Sequence, residues 1–318
     1  MSKLKKITSK IFKSNTNRYQ EGNGLYVSLD ELMNMRKYAS YIQNQDKSKT
    51  YAYQSGDVKS VFKGRGMEMD EIREYQYADD VRDIDWRVTA RKEKPYTKIY
   101  TEERDREVYV WLDLSSIMMF GSVKELKSVT ASKIAALLGW VALNNKDRFG
   151  CVIFDGERSW IFKPRNDRAY LSAILKKIAE VSKYSLNKHV ISQTEKMKSL
   201  KLLQTSVKNK AGLFIVSSFG CWDGEVDAEL AMLAKKTKMI VINVFDRLEE
   251  KAPISGQYMA EYNGEKVLID TTSKVYRKKY VEYFEQKRKL RKDFCKKFGC
   301  QMIDFSADKS FISLFKII

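Results

Sequence analysis

From residue 107 onward, short apolar runs alternate with segments in which apolar residues recur three and four positions apart. Apolar runs are typical of buried strands, and the three-and-four spacing is typical of helices. The runs predict strands over 108–112, 148–155, 212–217, 239–245 and 301–305. The spaced segments predict helices over 123–145, 167–182, 192–207, 225–236, 274–298 and a last one after 305. This alternation predicts an α/β fold with a doubly wound, mostly parallel sheet.

The chain before residue 107 has a different pattern. Ser28 and Glu31 form a capping-box sequence, which predicts a helix as far as about Tyr41. We predict three segments: a basic tail and N-terminal helix over 1–50, a segment rich in ion pairs over 51–106, and the α/β domain over 107–318. The first two segments would form a small N-terminal α+β region.

The net charge of +18 is concentrated in two places. Residues 1–20 contain six basic and no acidic residues, and residues 274–297 contain eleven basic and three acidic ones. Such segments suit an anionic lipid surface, a nucleic acid or an acidic protein face. The alternative is that each is only a solvated helix face. Charge alone leaves these alternatives open.

Composition argues against several classes of protein. The single histidine excludes a two-histidine metalloprotease motif, and none of the four cysteines forms a C-x-x-C pair. No nucleotide-binding glycine loop is present, so we do not expect an enzyme. The longest apolar run has ten residues, and the basic N-terminus lacks the apolar core of a signal peptide. We expect a cytoplasmic protein.

The end of the first predicted strand carries candidate chemistry. Asp113 and Ser115 follow this strand directly, at the sheet edge where open α/β folds bind ligands. Their oxygen atoms are ligands suited to a hard divalent cation. The alternative, which local sequence favours, is that they cap the N–H groups of the following helix.

The run from Arg73 to Arg91 resembles the signature of the domain of unknown function 58 family, and the resemblance extends over about residues 51–310. Paired acids, arginines and a tryptophan at fixed spacing carry it: Asp79, Asp80, Arg82, Asp85, Trp86 and Arg91. We interpret these residues in two ways. One is an ion-pair network in which Trp86 supplies an apolar anchor, and the other is a surface that docks a partner.

The resemblance implies a C-terminal part similar to von Willebrand factor A domains, which bind a metal through D-x-S-x-S, a threonine and an aspartate. Asp113 and Ser115 match that pattern. Ile117 replaces the second serine, and Ser217 and Ser218 stand where the aspartate is usual, although Asp223 could substitute for it. We therefore expect a degenerate site with weak or absent Mg²⁺ binding, and no cofactor.

The resemblance also implies a function. Members of the family are thought to work beside MoxR-type AAA+ ATPases in chaperone-like assembly or maturation of protein complexes. We therefore expect a non-enzymatic adaptor with such an ATPase and a client protein as partners. The alternative is peripheral binding of an anionic surface, at the inner face of the membrane or on nucleic acid, through residues 1–20 and 274–297. Balanced charge in the signature segment argues against specific nucleic-acid binding.

Overall fold

The computed structural model describes residues 24–49, 69–76, 81, 84–92, 94–100, 106–187, 191–218, 224–262 and 265–308. The chain divides into two compact units. Lys59–Arg106 forms the smaller unit, and Met1–Val58 together with Glu107–Ile318 forms the larger one.

Strands and helices alternate through most of the larger unit. The strands are β1 (Met69–Glu74), β2 (Tyr96–Tyr100), β3 (Glu107–Asp113), β4 (Arg148–Phe154), β5 (Ser159–Arg165), β6 (Gly212–Ser217), β7 (Lys238–Phe245), β8 (Gln257–Tyr262), β9 (Glu265–Asp270) and β10 (Gln301–Ser306). The helices are α1 (Leu29–Lys49), α2 (Trp86–Lys92), α3 (Lys127–Asn144), α4 (Arg168–Tyr184), α5 (Gln193–Ser206), α6 (Gly224–Lys236), α7 (Arg247–Glu250) and α8 (Lys274–Phe298).

The larger unit is built on a six-stranded sheet with the order β10-β7-β6-β3-β4-β5. All neighbours are parallel except β5, which returns antiparallel to β4 as the predicted hairpin. The inner strands are apolar along their whole length because both sheet faces are covered. The predicted α/β class with a mostly parallel sheet is confirmed.

Helices cover the two faces of this sheet. Helix α3 packs on the face that carries Phe149, where a β-carbon at Gly139 would lie 3.2 Å from that ring. Helices α5, α6 and α8 enclose the opposite face, in a core built around Tyr109, Trp111 and Phe154. Nearly every residue of α3 is buried, because α1 and α4 cover its outer side.

The capping box predicted for α1 is present. The Ser28 hydroxyl accepts from the backbone N–H of Glu31 (3.2 Å), and the Glu31 carboxylate accepts from the N–H of Ser28 (2.9 Å). The helix continues beyond the predicted end, to Lys49. The Trp140 indole donates to the Leu32 carbonyl (3.1 Å), which links α1 to α3.

Helix α3 begins four residues later than predicted, at Lys127 instead of Val123. Leu126 is the N-cap residue without a side-chain cap, and its N–H donates to the carbonyl of Gly24 (2.9 Å). A contact with a distant part of the chain therefore sets the start of the helix, and local sequence carries no signal for it.

The smaller unit contains the antiparallel pair of β1 and β2, with α2 between them in sequence. Asp85 caps α2 by accepting from the N–H groups of Arg87 (3.0 Å) and Val88 (3.2 Å). Trp86 is 67% exposed, which corrects its expected role as an apolar anchor. Its side chain lies at the first position of a short helix that buries no residue.

Other signature residues of this unit contribute little to a buried network. Arg91 is exposed in the last turn of α2. Lys94 and Glu74 form an ion pair (2.8 Å) in which both side chains are exposed. Asp79, Asp80 and Arg82 lie outside the described residues, and for them both interpretations stay predictions.

Candidate functional site

The carboxyl ends of β3 and β6 bring together the polar residues that the sequence pattern indicates. Asp113 and Ser217 end adjacent parallel strands, whose preceding residues Leu112 and Val216 are in register. The Ser217 hydroxyl donates to Asp113 Oδ2 (2.7 Å). The backbone N–H (2.9 Å) and the hydroxyl (2.6 Å) of Ser115 donate to Asp113 Oδ1. The carboxylate is fully buried and has donors on both oxygens.

This arrangement does not fit a divalent cation. Such a cation needs several hard oxygen ligands, with carboxylates supplying most of the charge. Asp113 is the one carboxylate at this point of the edge among the described residues, and donors already hold both of its oxygens. Across the described ranges, no group of three His, Cys, Asp or Glu side chains could hold a metal ion.

The remaining residues of the predicted site are distributed differently. Ile117 is half-buried in a short 3₁₀ turn, Ser116–Met118, and contributes no oxygen from its side chain. The Ser218 hydroxyl is buried and has no hydrogen-bond partner within the described part of the chain. Asp223 lies outside the described residues, so its suggested substitution for the missing aspartate stays a prediction.

A second polar group lies along the same edge of the sheet. Asn243 of β7 is the register partner of Ser217, and its amide donates to Asp304 Oδ1 of β10 (3.0 Å). Arg288 of α8 donates to the other oxygen of Asp304 (2.7 Å). These contacts join the sheet to α8 at the edge that also holds Asp113.

The segment between β3 and α3, residues 114–126, we call the strand-end loop. Ser122 anchors it to the end of β7, because its N–H (2.8 Å) and hydroxyl (2.6 Å) both donate to the carboxylate of Asp246. Lys127 follows the loop with a buried side chain that pairs with Glu249 (2.5 Å). The loop is therefore held on two sides by the α7 segment.

Close backbone packing restrains the same loop further. A β-carbon at Gly121 would lie 2.3 Å from the carbonyl oxygen of Glu125, so any larger residue would displace the backbone. Glu125 is itself buried, and its carboxylate accepts from Thr130 (2.8 Å) and pairs with Lys133 (2.5 Å). Met118 is fully buried and fixes the loop from below.

This restrained loop exposes two large apolar side chains, Phe120 (43% exposed) and Val123 (67%). Leu25 is exposed next to them in the chain fold, because its neighbour Gly24 packs against Lys124 and Leu126. Sequence analysis missed this apolar patch by placing Val123 in the helix. The available signal was the apolar run of residues 117–120 directly before Gly121 and Ser122, outside any amphipathic spacing.

Solved structures with related folds come from bacteria. The conserved hypothetical protein BatB from Bacteroides thetaiotaomicron is 18% identical, with a TM-score of 0.41, and the match covers 67% of this chain and 94% of that chain. An aerotolerance-related membrane protein from Bacteroides fragilis NCTC 9343 is 16% identical, with a TM-score of 0.42, covering 67% and 96%.

Sequence relatives place the chain more closely. The uncharacterized protein Rv1480 from Mycobacterium tuberculosis and Mb1516 from Mycobacterium bovis are each 32% identical over 124 residues. This chain spans 39% of the length of these curated relatives. Residues 71–290 match the family described as protein of unknown function DUF58, as the signature from Arg73 to Arg91 predicts. The chain therefore belongs to the DUF58 family.

Proposed function

We propose that the protein is a non-enzymatic adaptor that works with a MoxR-type AAA+ ATPase in the assembly or maturation of other protein complexes. The DUF58 signature supports this proposal through the association of that family with such ATPases. The partner and the client are identified by that resemblance, and the residues that would contact the partner come from the strand-end loop.

The observation that carries the proposal is the exposure of Phe120 and Val123 on a restrained loop. An apolar side chain held in one position loses little conformational entropy when a partner covers it. Aromatic residues that become buried in this way commonly supply much of the binding energy of an interface. The strand-end loop is therefore suited to recognition of a protein.

The charge beside the patch indicates what kind of protein surface would fit it. Lys124 in the loop and Arg247 at the start of α7 are both exposed. Complementary charge speeds association and selects the partner. We infer a partner segment that combines an apolar anchor with acidic residues.

The state of Asp113 supports the non-enzymatic part of the proposal. A general base must reach the proton that it abstracts, and a nucleophile must reach its substrate. The Asp113 carboxylate is fully buried, and its two oxygens accept from Ser115 and Ser217. In this arrangement it shapes the loop and leaves no lone carboxylate for reaction.

The experiment is calorimetric titration of the full chain with the purified MoxR-type ATPase of the same organism. The double substitution F120S/V123S should weaken binding by about tenfold or more, because truncating an interface anchor costs more than about 1 kcal/mol. The matched control is L202S/M232S, which changes two exposed apolar residues on α5 and α6. Binding that both double variants weaken equally, or no binding by the unsubstituted chain, would contradict the proposal.

A second candidate function is the binding of an anionic surface. Residues 1–20 lie outside the described residues, whereas α8 is described over its whole length. The observation that favours this function is the outer face of α8, where seven lysines are exposed: Lys274, Lys278, Lys279, Lys289, Lys292, Lys296 and Lys297.

A further inference from the structure

Helix α8 has one face that belongs to the protein core. Phe284, Phe294 and Cys295 are buried against neighbouring elements. The Phe284 ring lies 5.5 Å from that of Phe245 in β7, and Tyr280 donates to the carbonyl of Leu248 (2.6 Å). These contacts hold the helix along its length, so its outer face has a defined composition.

The three arginines of α8 are all used inside the molecule. Arg277 donates to the carbonyls of Thr271 and Thr272, at the entrance to the helix. Arg288 donates to Asp304 of β10, and the buried Arg291 holds both oxygens of Asp227 of α6. The arginines therefore dock α8 on the body of the protein and are absent from its outer face.

Lysine supplies the remaining positive charge of α8. Among the exposed positions, the seven lysines stand against three acids, Glu282, Glu285 and Asp293. Arginine is the residue suited to bidentate recognition of phosphate and of guanine, whereas lysine acts as a hydrated point charge. A lysine face without arginine therefore favours a diffuse anionic surface over a specific nucleic-acid site.

Exposed aliphatic residues lie among these lysines. Val275 (65% exposed) and Leu290 (51%) occupy the outer side of α8, together with the exposed Tyr283. Duplex nucleic acid offers few contacts to aliphatic side chains outside its grooves. The boundary between lipid headgroups and acyl chains favours this mixture of lysine, aliphatic and aromatic residues on one helix face.

The hairpin before α8 adds a second apolar element. Met259 and Leu268 are opposite each other in β8 and β9, and both are exposed. The buried Thr271 ties the base of this hairpin to the start of the helix, since its N–H donates to the Gly256 carbonyl (2.8 Å) and its own carbonyl accepts from Arg277. The hairpin and the first turns of α8 are therefore neighbours in space.

We propose that the outer face of α8 is a docking surface for acidic phospholipid headgroups, on which the helix lies parallel to the membrane plane. The lysines provide attraction to the anionic headgroups, and Val275, Tyr283 and Leu290 enter the interface between headgroups and acyl chains. This inference rests on the second candidate function, anionic-surface binding, and is independent of the proposed ATPase partnership.

The experiment is co-sedimentation of the full chain with vesicles of phosphatidylcholine containing phosphatidylglycerol, and with vesicles of phosphatidylcholine alone. Binding should require phosphatidylglycerol and should decrease as salt is added. The triple substitution K279Q/K289Q/K296Q should weaken the partition by about 100-fold, at roughly fivefold for each lysine near the surface. The control K176Q/K201Q/K235Q removes the same charge from exposed positions on α4, α5 and α6.

A second variant tests the apolar part and separates lipid from nucleic acid. V275Q/L290Q keeps residues that suit a helix and should weaken vesicle binding while leaving the retention of a random DNA duplex unchanged. Equal losses for the two lysine triples would overturn the proposal, because net charge alone would then explain binding. Binding to DNA but not to vesicles would also overturn it while leaving anionic-surface binding in place, and binding to neither would remove both.

Discussion

At the scale of single residues, Asp113 shows how a motif that resembles a metal site can close on itself. A buried carboxylate without partners is strongly destabilising, so it must have a cation or hydrogen-bond donors. Here Ser115 and Ser217 supply the donors, at 2.6 and 2.7 Å. Serine at position 217, where a metal-binding relative would have aspartate, removes a negative charge and adds a donor at the same point.

This arrangement predicts unequal effects for two adjacent serines. S217A removes the donor to Asp113 Oδ2 and should lower the free energy of unfolding by about 1–3 kcal/mol, because a buried acceptor loses its partner. S218A removes a buried hydroxyl that has no partner among the described residues, and should cost much less. Urea unfolding of both variants gives the comparison. A larger loss for S218A would show that the hydroxyl pairing is assigned to the wrong serine.

The sequence placed Asp113 and Ser115 at the end of a buried strand, and it placed Ser217 at the end of another. It could not show that these strands are neighbours, because strand order depends on contacts between residues about 100 positions apart. It also left open whether Asp113 would bind a cation or cap a helix. The observed donors to Asp113 come from its own loop and from β6, and α3 begins only at Lys127.

At the scale of elements, the strands are the most predictable part of the chain. Those of the central sheet are apolar throughout, and the expected ranges differ from the observed ones by one or two residues at most ends. The start of α3 was less predictable. A carbonyl of Gly24 and the packing of Gly121 against residues 125 and 126 determine it, and neither contact has a local sequence signature.

The strand-end loop should depend on the close packing at Gly121. G121A would bring a methyl group against the Glu125 carbonyl and should lower the free energy of unfolding by about 1–3 kcal/mol, as overpacking commonly does. G224A is the control, because a β-carbon there would meet no atom within 4 Å. Thermal unfolding followed by circular dichroism would test the pair. An equal effect of the two substitutions would mean that the loop yields without cost.

At the scale of the whole molecule, backbone hydrogen bonding is unevenly distributed. Strands β3, β6 and β7 each pair on both sides within the six-stranded sheet. Strands β8 and β9 pair with each other in a two-stranded sheet whose side chains are largely exposed. A two-stranded hairpin has little stability of its own.

Hydrogen exchange should therefore separate these regions. Amides in β3, β6 and β7 should exchange only through global unfolding, whereas those of β8 and β9 should exchange on the order of 100-fold faster or more through local opening. Mass spectrometry of peptides from each strand gives the rates, and the edge strand β5 serves as an intermediate reference. Protection of the hairpin equal to that of β6 would contradict this expectation and would indicate a covering partner.

Among described residues, no helix has the length and apolar character required to cross a membrane. The net charge of +18 still makes surface attraction a property of the whole molecule. Structure changes the meaning of that charge, because it removes the arginines of α8 from the outer face and leaves lysines there.

The sequence by itself determined the α/β class, the elements of the central sheet and membership of the family, because periodic burial and a compact signature motif are local properties. Only the tertiary structure decided the order of the strands, the closure of Asp113 by Ser217, and the exposure of Phe120 and Val123. It also decided which charges of α8 face outward. Each of these depends on contacts between residues far apart in the chain, and such contacts leave no periodic trace in the sequence.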